Sequence, residues 1–262
     1  IAVKTAMDNG IPYGFVSDIY NCFKRPWFAD FREKTSKLFV VVADEIEEAR
    51  SLFPNAKVSA GGNPCWEDYF DKPSVEEVAT LRKKYNLSLD RKTILAVGGK
   101  DLTANMIFFG GVVSAVNICG RLSEFHKKAG DQSLPEFQII LSIHSGDLND
   151  SSVYDSLTHN KKGGLSRIPV VINKGTKPEK IIPITDLVVV TGSNMGIAAA
   201  CQRKPVINYI TELARNKFED SGSWPWKPCS GLGIAELVGD NWSSPRLDQM
   251  ILWLTDPDSC WS

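Results

Sequence analysis

The stretch that most restricts the fold runs from Thr185 to Pro205, TDLVVVTGSNMGIAAACQRKP. Four apolar residues, Leu187 to Val190, are followed at once by Thr191-Gly192-Ser193-Asn194-Met195-Gly196, and then by a small-residue segment with helical character, Ile197 to Cys201. Arg203-Lys204-Pro205 leads into a second apolar run at Val206-Ile207. This order reads as strand, glycine turn, helix, strand, the right-handed crossover unit of a parallel sheet. Alanines 198 to 200 let the helix lie close to that sheet. Two readings of the turn stay open: a phosphate cradle presenting N–H groups at a helix N-terminus, or a plain turn of an α/β protein.

The same alternation fills the rest of the chain. Lys37 to Val42, KLFVVV, is apolar enough to predict a strand buried on both faces. Before it come a helical end at Ile1 to Asn9 closed by Gly10, a strand from Pro12 that ends at the polar cluster Asp18 to Asn21, and a helix over Trp27 to Lys34. After it, Asp44 as N-cap and Glu47 as the reciprocal partner predict a helix to Leu52, and a strand spans Lys57 to Ala60. A connector follows Pro64. Its helix, Val75 to Tyr85, is announced by a Ser74/Glu77 capping box. A second series opens with the strand Thr93 to Val97 and the turn Gly98-Gly99-Lys100. It continues with a long helical region from Leu102 to Phe125, read as broken or kinked at Gly110-Gly111. Strands at Phe137 to Ile143 and Ile168 to Ile172, a helical turn at Lys177 to Ile181, the opening stretch and a last helix from Pro245 to Leu254 complete it.

The expected fold class is therefore α/β, with two Rossmann-like, doubly wound parallel-sheet domains. The boundaries fall at 1–64, a linker with its helix at 65–90, and 91–262. About three strands in the first series are fewer than the five or six usual for such a sheet. That domain is expected to be incomplete on its N-terminal side, completed by an upstream chain segment or a partner; the missing initiator Met points the same way.

Composition narrows the function classes. A net charge of −1 gives no broad electrostatic footprint for nucleic acid. No uninterrupted apolar run reaches the ~18 residues of a membrane span, and neither end resembles a secretory signal. The six cysteines form no C-x-x-C pair, so a metal centre or disulfide framework is not expected and a reducing, cytoplasmic setting is. Cys119 and Cys201 read as small core residues.

Taken in order, several landmarks resemble the nucleotide-sugar enzymes of the GT-B fold, which include glycosyltransferases and UDP-N-acetylglucosamine 2-epimerases. They are NGIPYGFVSD, the segment LFVVVADEIEEARSLFPNAKVSAGGNP, ILAVGGK, TDLVVVTGSNMGIAAACQRKPVI and GIAELVGD. The resemblance implies a nucleotide diphosphate-sugar, UDP-linked, held mainly by the second domain, with no further cofactor and no bound metal. Gly98, Gly99 and Lys100 would meet a phosphate, His144 and Ser145 the ribose or sugar, and backbone groups at Asn173 a base edge. Gly192, Ser193, Asn194, Met195 and Gly196 would take the pyrophosphate. The activity implied is metal-independent transfer of a hexosyl or N-acetylhexosaminyl group to an unidentified acceptor, with Asp18 as the visible candidate base. His126 and His159 are read as surface residues, and Trp224 and Trp226 as a loop over a sugar or over a core.

The sequence also departs from that pattern. The acidic residue that usually follows the glycine turn is Ala198 here, with Glu212 the possible substitute. The epimerases' histidine-arginine pair is replaced by Gly99-Lys100. Two alternatives therefore stay beside the transferase: a degenerate domain that binds a nucleotide or a protein without catalysis, and a nucleotide-sugar 2-epimerase.

Overall fold

The computed structural model describes residues 2–18, 20–71, 73–131, 134–144, 152–158, 168–220, 236–239 and 246–256. They divide into two compact units: Ile1–Asp68 with Asn216–Pro228, and Tyr69–Arg215 with Cys229–Ser262.

The first unit opens with helix α1 (Ala2–Asp8), after which Gly10 turns the chain at φ 65°. Strands β1 (Gly14–Val16), β2 (Lys37–Val40) and β3 (Lys57–Ala60) form a parallel sheet in the order β1-β2-β3. This is a smaller, incomplete version of a doubly wound sheet. Helix α2 (Ile46–Leu52) and the tight 3-10 turns at Cys22–Lys24 and Pro26–Phe31 supply its cover. The core they enclose contains Phe23, Phe28, Leu38, Val40 and Phe53. The other face is bare: the register partners Val16 and Phe39 are 64% and 39% exposed. The expectation that Lys37 to Val42 is buried on both sides is thus corrected, because β2 alternates exposed and buried residues. The expected helix at Trp27 to Lys34 is the 3-10 turn that Pro26 starts.

The predicted cap of α2 also differs. A 3-10 turn, Ala43–Glu45, precedes the helix, and Glu45 rather than Glu47 reaches back into the backbone. Its carboxylate, buried to 1% exposure, accepts N–H bonds from Asn21 (2.6 Å), Val41 (2.9 Å) and Val42 (3.0 Å). Asn21 sits in the left-handed region, φ 57°, so the loop after β1 is pinned to the end of β2.

In the second unit the Ser74/Glu77 box opens helix α3 (Val75–Lys84) as expected, with reciprocal bonds of 2.7 and 3.2 Å. Strands β4 (Arg91–Val97), β5 (Glu136–Ser142), β6 (Val170–Asn173), β7 (Leu187–Val190), β8 (Val206–Ile210) and β9 (Glu236–Gly239) are all parallel, in the order β6-β5-β4-β7-β8-β9. Numbered within the unit this is 3-2-1-4-5-6, the order of a dinucleotide-binding sheet. Helices α4 (Leu102–Lys128), α5 (Pro178–Ile181), α6 (Met195–Cys201), α7 (Glu212–Asp220) and α8 (Leu247–Thr255) complete the crossovers.

Helix α4 runs unbroken through Gly110-Gly111. Gly111 serves packing instead of a break: a Cβ there would lie 2.7 Å from Cε1 and from the hydroxyl of Tyr209. Gly111→Ala should therefore destabilise the protein, since overpacking costs about 1–3 kcal/mol while removing a mid-helix glycine returns only about 1. A lowered Tm in calorimetry checks this, and an unchanged or higher Tm counts against it. By length and composition alone α4 is also long and apolar enough to cross a bilayer, although its apolar residues form no uninterrupted run in the sequence. Half of its most apolar stretch is buried inside the protein, and the helix packs on β5 and α8. Cys119 on its inner face is a core residue, its thiol pushed up to about 12 by burial and by the neighbouring Asp248 carboxylate.

Candidate functional site

Ligands of a doubly wound sheet bind outside the carboxyl ends of its strands, where the strand order reverses. The reversal here falls between β4 and β7, with β5 and β6 to one side and β8 and β9 to the other. A cleft of about 420 Å³ opens at that end. It is lined from the ends of four strands: Gly98 after β4, Ser142 and His144 at β5, Thr176 to Glu179 after β6, and Ser193 and Met195 after β7.

The β4–α4 turn is shaped by packing. Gly98 donates its N–H to the Ser142 carbonyl (3.2 Å). Gly99 donates to Asn105 Oδ1 (2.8 Å), while Asn105 Nδ2 returns a bond to the Gly99 carbonyl (2.9 Å). A Cβ on Gly98 would lie 2.6 Å from Asn105 Oδ1 and 2.8 Å from Phe109 Cζ, so only glycine fits. Asp101 caps α4 by accepting the Ala104 N–H at 2.8 Å, which places a carboxylate at that helix N-terminus. Lys100 is exposed and outside the lining of the cleft. Both N–H groups thus donate within the protein, and Gly98 shapes a wall of the cleft.

At the end of β6, the Asn173 side chain is a clamp. Its Oδ1 accepts from the Tyr85 hydroxyl (2.7 Å) and the Thr176 N–H (3.3 Å). Its Nδ2 donates to Ser142 Oγ (2.9 Å) and the Thr176 carbonyl (2.7 Å). Every hydrogen-bonding position of the amide is filled. Burial raises the Tyr85 phenol above its ordinary range, which keeps it a donor. The clamp fixes the loop in which Gly175 turns at φ 89° and Pro178 starts α5, carrying Lys177 and Glu179 to the cleft.

The glycine turn after β7 takes its bend at Gly192, φ 64°. Ser193 Oγ accepts from the Met195 N–H (3.3 Å), and its carbonyl accepts from Gly196 (3.0 Å). Of the five residues expected to take a pyrophosphate, Ser193 and Met195 line the cleft, and Gly196 is buried. Thr191 Oγ1 at the strand end is buried with no hydrogen-bond partner among the described residues. Ala198 is fully buried in α6, so the position of the expected ribose carboxylate faces the core. Glu212 is exposed at the first position of α7, outside the lining.

Asp18 belongs to the first unit. Its carbonyl accepts from Asn63 Nδ2 (2.8 Å), and its carboxylate lies by Cys22, whose thiol is raised by burial first and by this carboxylate second. His126 pairs with Asp131 at 2.9 Å on the surface. Ser145, His159, Trp224 and Trp226 lie outside the described residues. Thr176, Lys177 and Glu179 were missed by sequence reasoning. The available signal was Asn173-Lys174-Gly175-Thr176-Lys177-Pro178-Glu179, a positive-φ glycine and a helix-starting proline directly after a strand.

Solved structures share this architecture. The UDP-GlcNAc 2-epimerase of Neisseria meningitidis, bound to UDP-GlcNAc, superposes with a TM-score of 0.54 at 14% identity, over 97% of this chain and 63% of that one. A glycosyltransferase from Rickettsia africae gives 0.55 at 16% identity, over 97% and 69%. An Anabaena protein in complex with UDP and glucose gives 0.55 at 10%, over 95% and 63%. The fold is GT-B-like. The chain spans less than two thirds of the length of several of the solved structures it matches, the Neisseria and Anabaena proteins among them. No family model matches it, and no curated protein matches it by sequence.

Proposed function

We propose that this chain binds a nucleotide diphosphate-sugar, UDP-linked, in the cleft at the carboxyl ends of β4 to β7 and transfers its sugar to an acceptor. The observation that carries the reading is the cleft itself. It lies at the reversal point of a 3-2-1-4-5-6 sheet and, among the described residues, combines a glycine turn with a cation, Lys177. In this reading Lys177 and the Ser193 turn neutralise the leaving diphosphate. His144 meets the sugar or ribose. The reading is metal-independent, and among the described residues no three His, Cys, Asp or Glu side chains gather to hold an ion. Asp18 is the proposed acceptor base. Titration calorimetry with UDP, UDP-sugars and GDP-sugars tests the binding, and release of free UDP from a UDP-sugar tests the chemistry. No binding at millimolar nucleotide rejects the reading.

A second reading, a domain that binds nucleotide without catalysis, is favoured by buried Ala198 and by the bonded N–H groups of Gly98 and Gly99. Binding without donor turnover supports it. Both readings place phosphate at the Gly192 turn. Gly192→Val, strained at φ 64°, should weaken UDP by about tenfold or more, on the ~1–3 kcal/mol scale of a forced left-handed residue. Equal affinity in calorimetry removes that turn from the site.

A further inference from the structure

The amino-terminal ends of the central strands, at the far end of the sheet from the cleft, gather three cations around one carboxylate. Asp186, just before β7, is bonded to β4: its Oδ2 accepts the Thr93 N–H at 2.8 Å, and its own N–H donates to the Thr93 carbonyl at 2.8 Å. Its Oδ1 meets the Lys92 ammonium at 3.4 Å. On the other side, Val188 of β7 is in register with Val206 of β8, which brings Lys204 level with Asp186. Arg82 comes from the last turn of α3, which packs on the 3-10 turn Ile182–Ile184 just ahead of Asp186. The chain between α6 and β8 is pinned here. Arg203 turns it at φ 56°, and the Lys204 N–H donates to the Ala199 carbonyl at 2.9 Å.

The charges do not balance. Asp186 has both oxygens engaged, and neither the Lys204 ammonium nor the Arg82 guanidinium has an ion-pair or hydrogen-bond partner among the described residues. Both side chains belong to half-buried residues all the same. Burial holds the Lys204 ammonium below its ordinary range; Asp186 opposes this, while Arg82 and Lys92 are close enough to push in the same direction as burial. A cation after the carboxyl end of α6 is what the helix dipole favours, but such a cation loses nothing by staying in water. Drawing an ammonium out of solvent toward two like charges is unfavourable unless an anion completes the group. Three cations against one carboxylate leave two positive charges, which a dianion would neutralise. Guanidinium and ammonium donors together suit the oxygens of a phosphate group. We infer that Lys92, Lys204 and Arg82 bind a dianionic phosphate group, that of inorganic phosphate or of a phosphomonoester, at the amino-terminal edge of the second sheet. This site does not rest on the nucleotide-sugar reading of the cleft.

The test is titration calorimetry of the full chain with inorganic phosphate and with methyl phosphate, at mildly alkaline pH where both probes are dianions and against sodium chloride of equal ionic strength. Wild type should bind phosphate above the chloride control. Lys204→Met, which keeps the apolar stem and removes the charge, should weaken that binding by about tenfold or more, the scale of a lost charge-assisted hydrogen bond, and Lys204→Arg should retain most of it. Arg82→Gln should weaken it as well, so a folding defect in one variant leaves the test standing on the other. Lys177→Met marks the cleft and should leave phosphate affinity as in wild type. Methyl phosphate bound as tightly as the inorganic ion assigns the site to phosphomonoesters; binding of inorganic phosphate alone assigns it to the free ion, and both support the inference. Loss of phosphate binding in Lys177→Met but not in Lys204→Met would place the anion in the cleft and overturn it. Equal affinity in wild type, Lys204→Met and Arg82→Gln overturns it too, as does the absence of binding by wild type at millimolar phosphate.

Discussion

Glu45→Ala is expected to lower the unfolding free energy by about 3–5 kcal/mol, among the largest single-residue effects in this chain. Three backbone N–H groups, those of Asn21, Val41 and Val42, lose their acceptor at once. Two of the three are buried. Glu45→Gln separates shape from charge. Its oxygen can keep Val41 and Val42, but its NH₂ then faces the Asn21 N–H across the 2.6 Å now spanned by a bond, so it should also destabilise. Urea unfolding followed by tryptophan fluorescence measures both, and a loss below about 1 kcal/mol for alanine, the scale of one ordinary hydrogen bond, would show the anchor to be dispensable. The pH dependence has a defined sign. Burial raises the Glu45 carboxyl above its ordinary range, outweighing the three N–H bonds that lower it. Between the unfolded and the raised folded value the native state holds more protons than the unfolded one. Stability from this group is therefore full at acid pH and declines as pH rises through the folded pKa. The Glu45→Gln variant should lack that decline.

Glu45 also shows what kind of information the sequence withholds. The Ser74/Glu77 box is legible because both partners lie three residues apart and the bonds are local. The anchor at Glu45 is not, because its tightest donor, Asn21, is 24 residues away and becomes a neighbour only when β1 and β2 pair. The glycines behave alike. Gly98 suggests a phosphate turn and Gly111 a kink, yet each is required by a distant side chain, Phe109 with Asn105 in one case and Tyr209 in the other. The alternation of strands and helices gave the doubly wound class and the small first sheet, since hydrophobic period depends on local order alone. It could not show that one face of that sheet is bare, which depends on what packs there. The cleft was half legible for the same reason. Strand ends after β4, β5 and β7 carry glycine, histidine or serine and attract notice. The loop after β6 reads as an ordinary turn until its strand is placed beside β5.

That loop depends on one amide, and Asn173→Leu is expected to disable the cleft while leaving the sheet intact. Leucine is close in shape, but it can neither accept from Tyr85 and the Thr176 N–H nor donate to Ser142 and the Thr176 carbonyl. Buried groups left unpaired cost about 1–3 kcal/mol each, and relaxation of the loop toward solvent recovers part of this. A net loss of about 2–4 kcal/mol should result, on the scale of a broken buried network. The larger effect is on binding. With Thr176 released, Gly175 no longer holds one conformation, and Lys177 and Glu179 lose the fixed positions from which they line the cleft. Nucleotide affinity should fall by about 100-fold, because the loop would have to be ordered at the ligand's expense. Tyr85→Phe provides the control. It removes one of the four bonds and leaves the Thr176 pair in place, so it should cost about 1 kcal/mol of stability and little affinity. Calorimetry with UDP on both variants, at a temperature where urea titration shows each to be folded, separates the effects. If Asn173→Leu binds UDP as wild type does, the loop after β6 is not part of the site, and the role given to Lys177 falls with it.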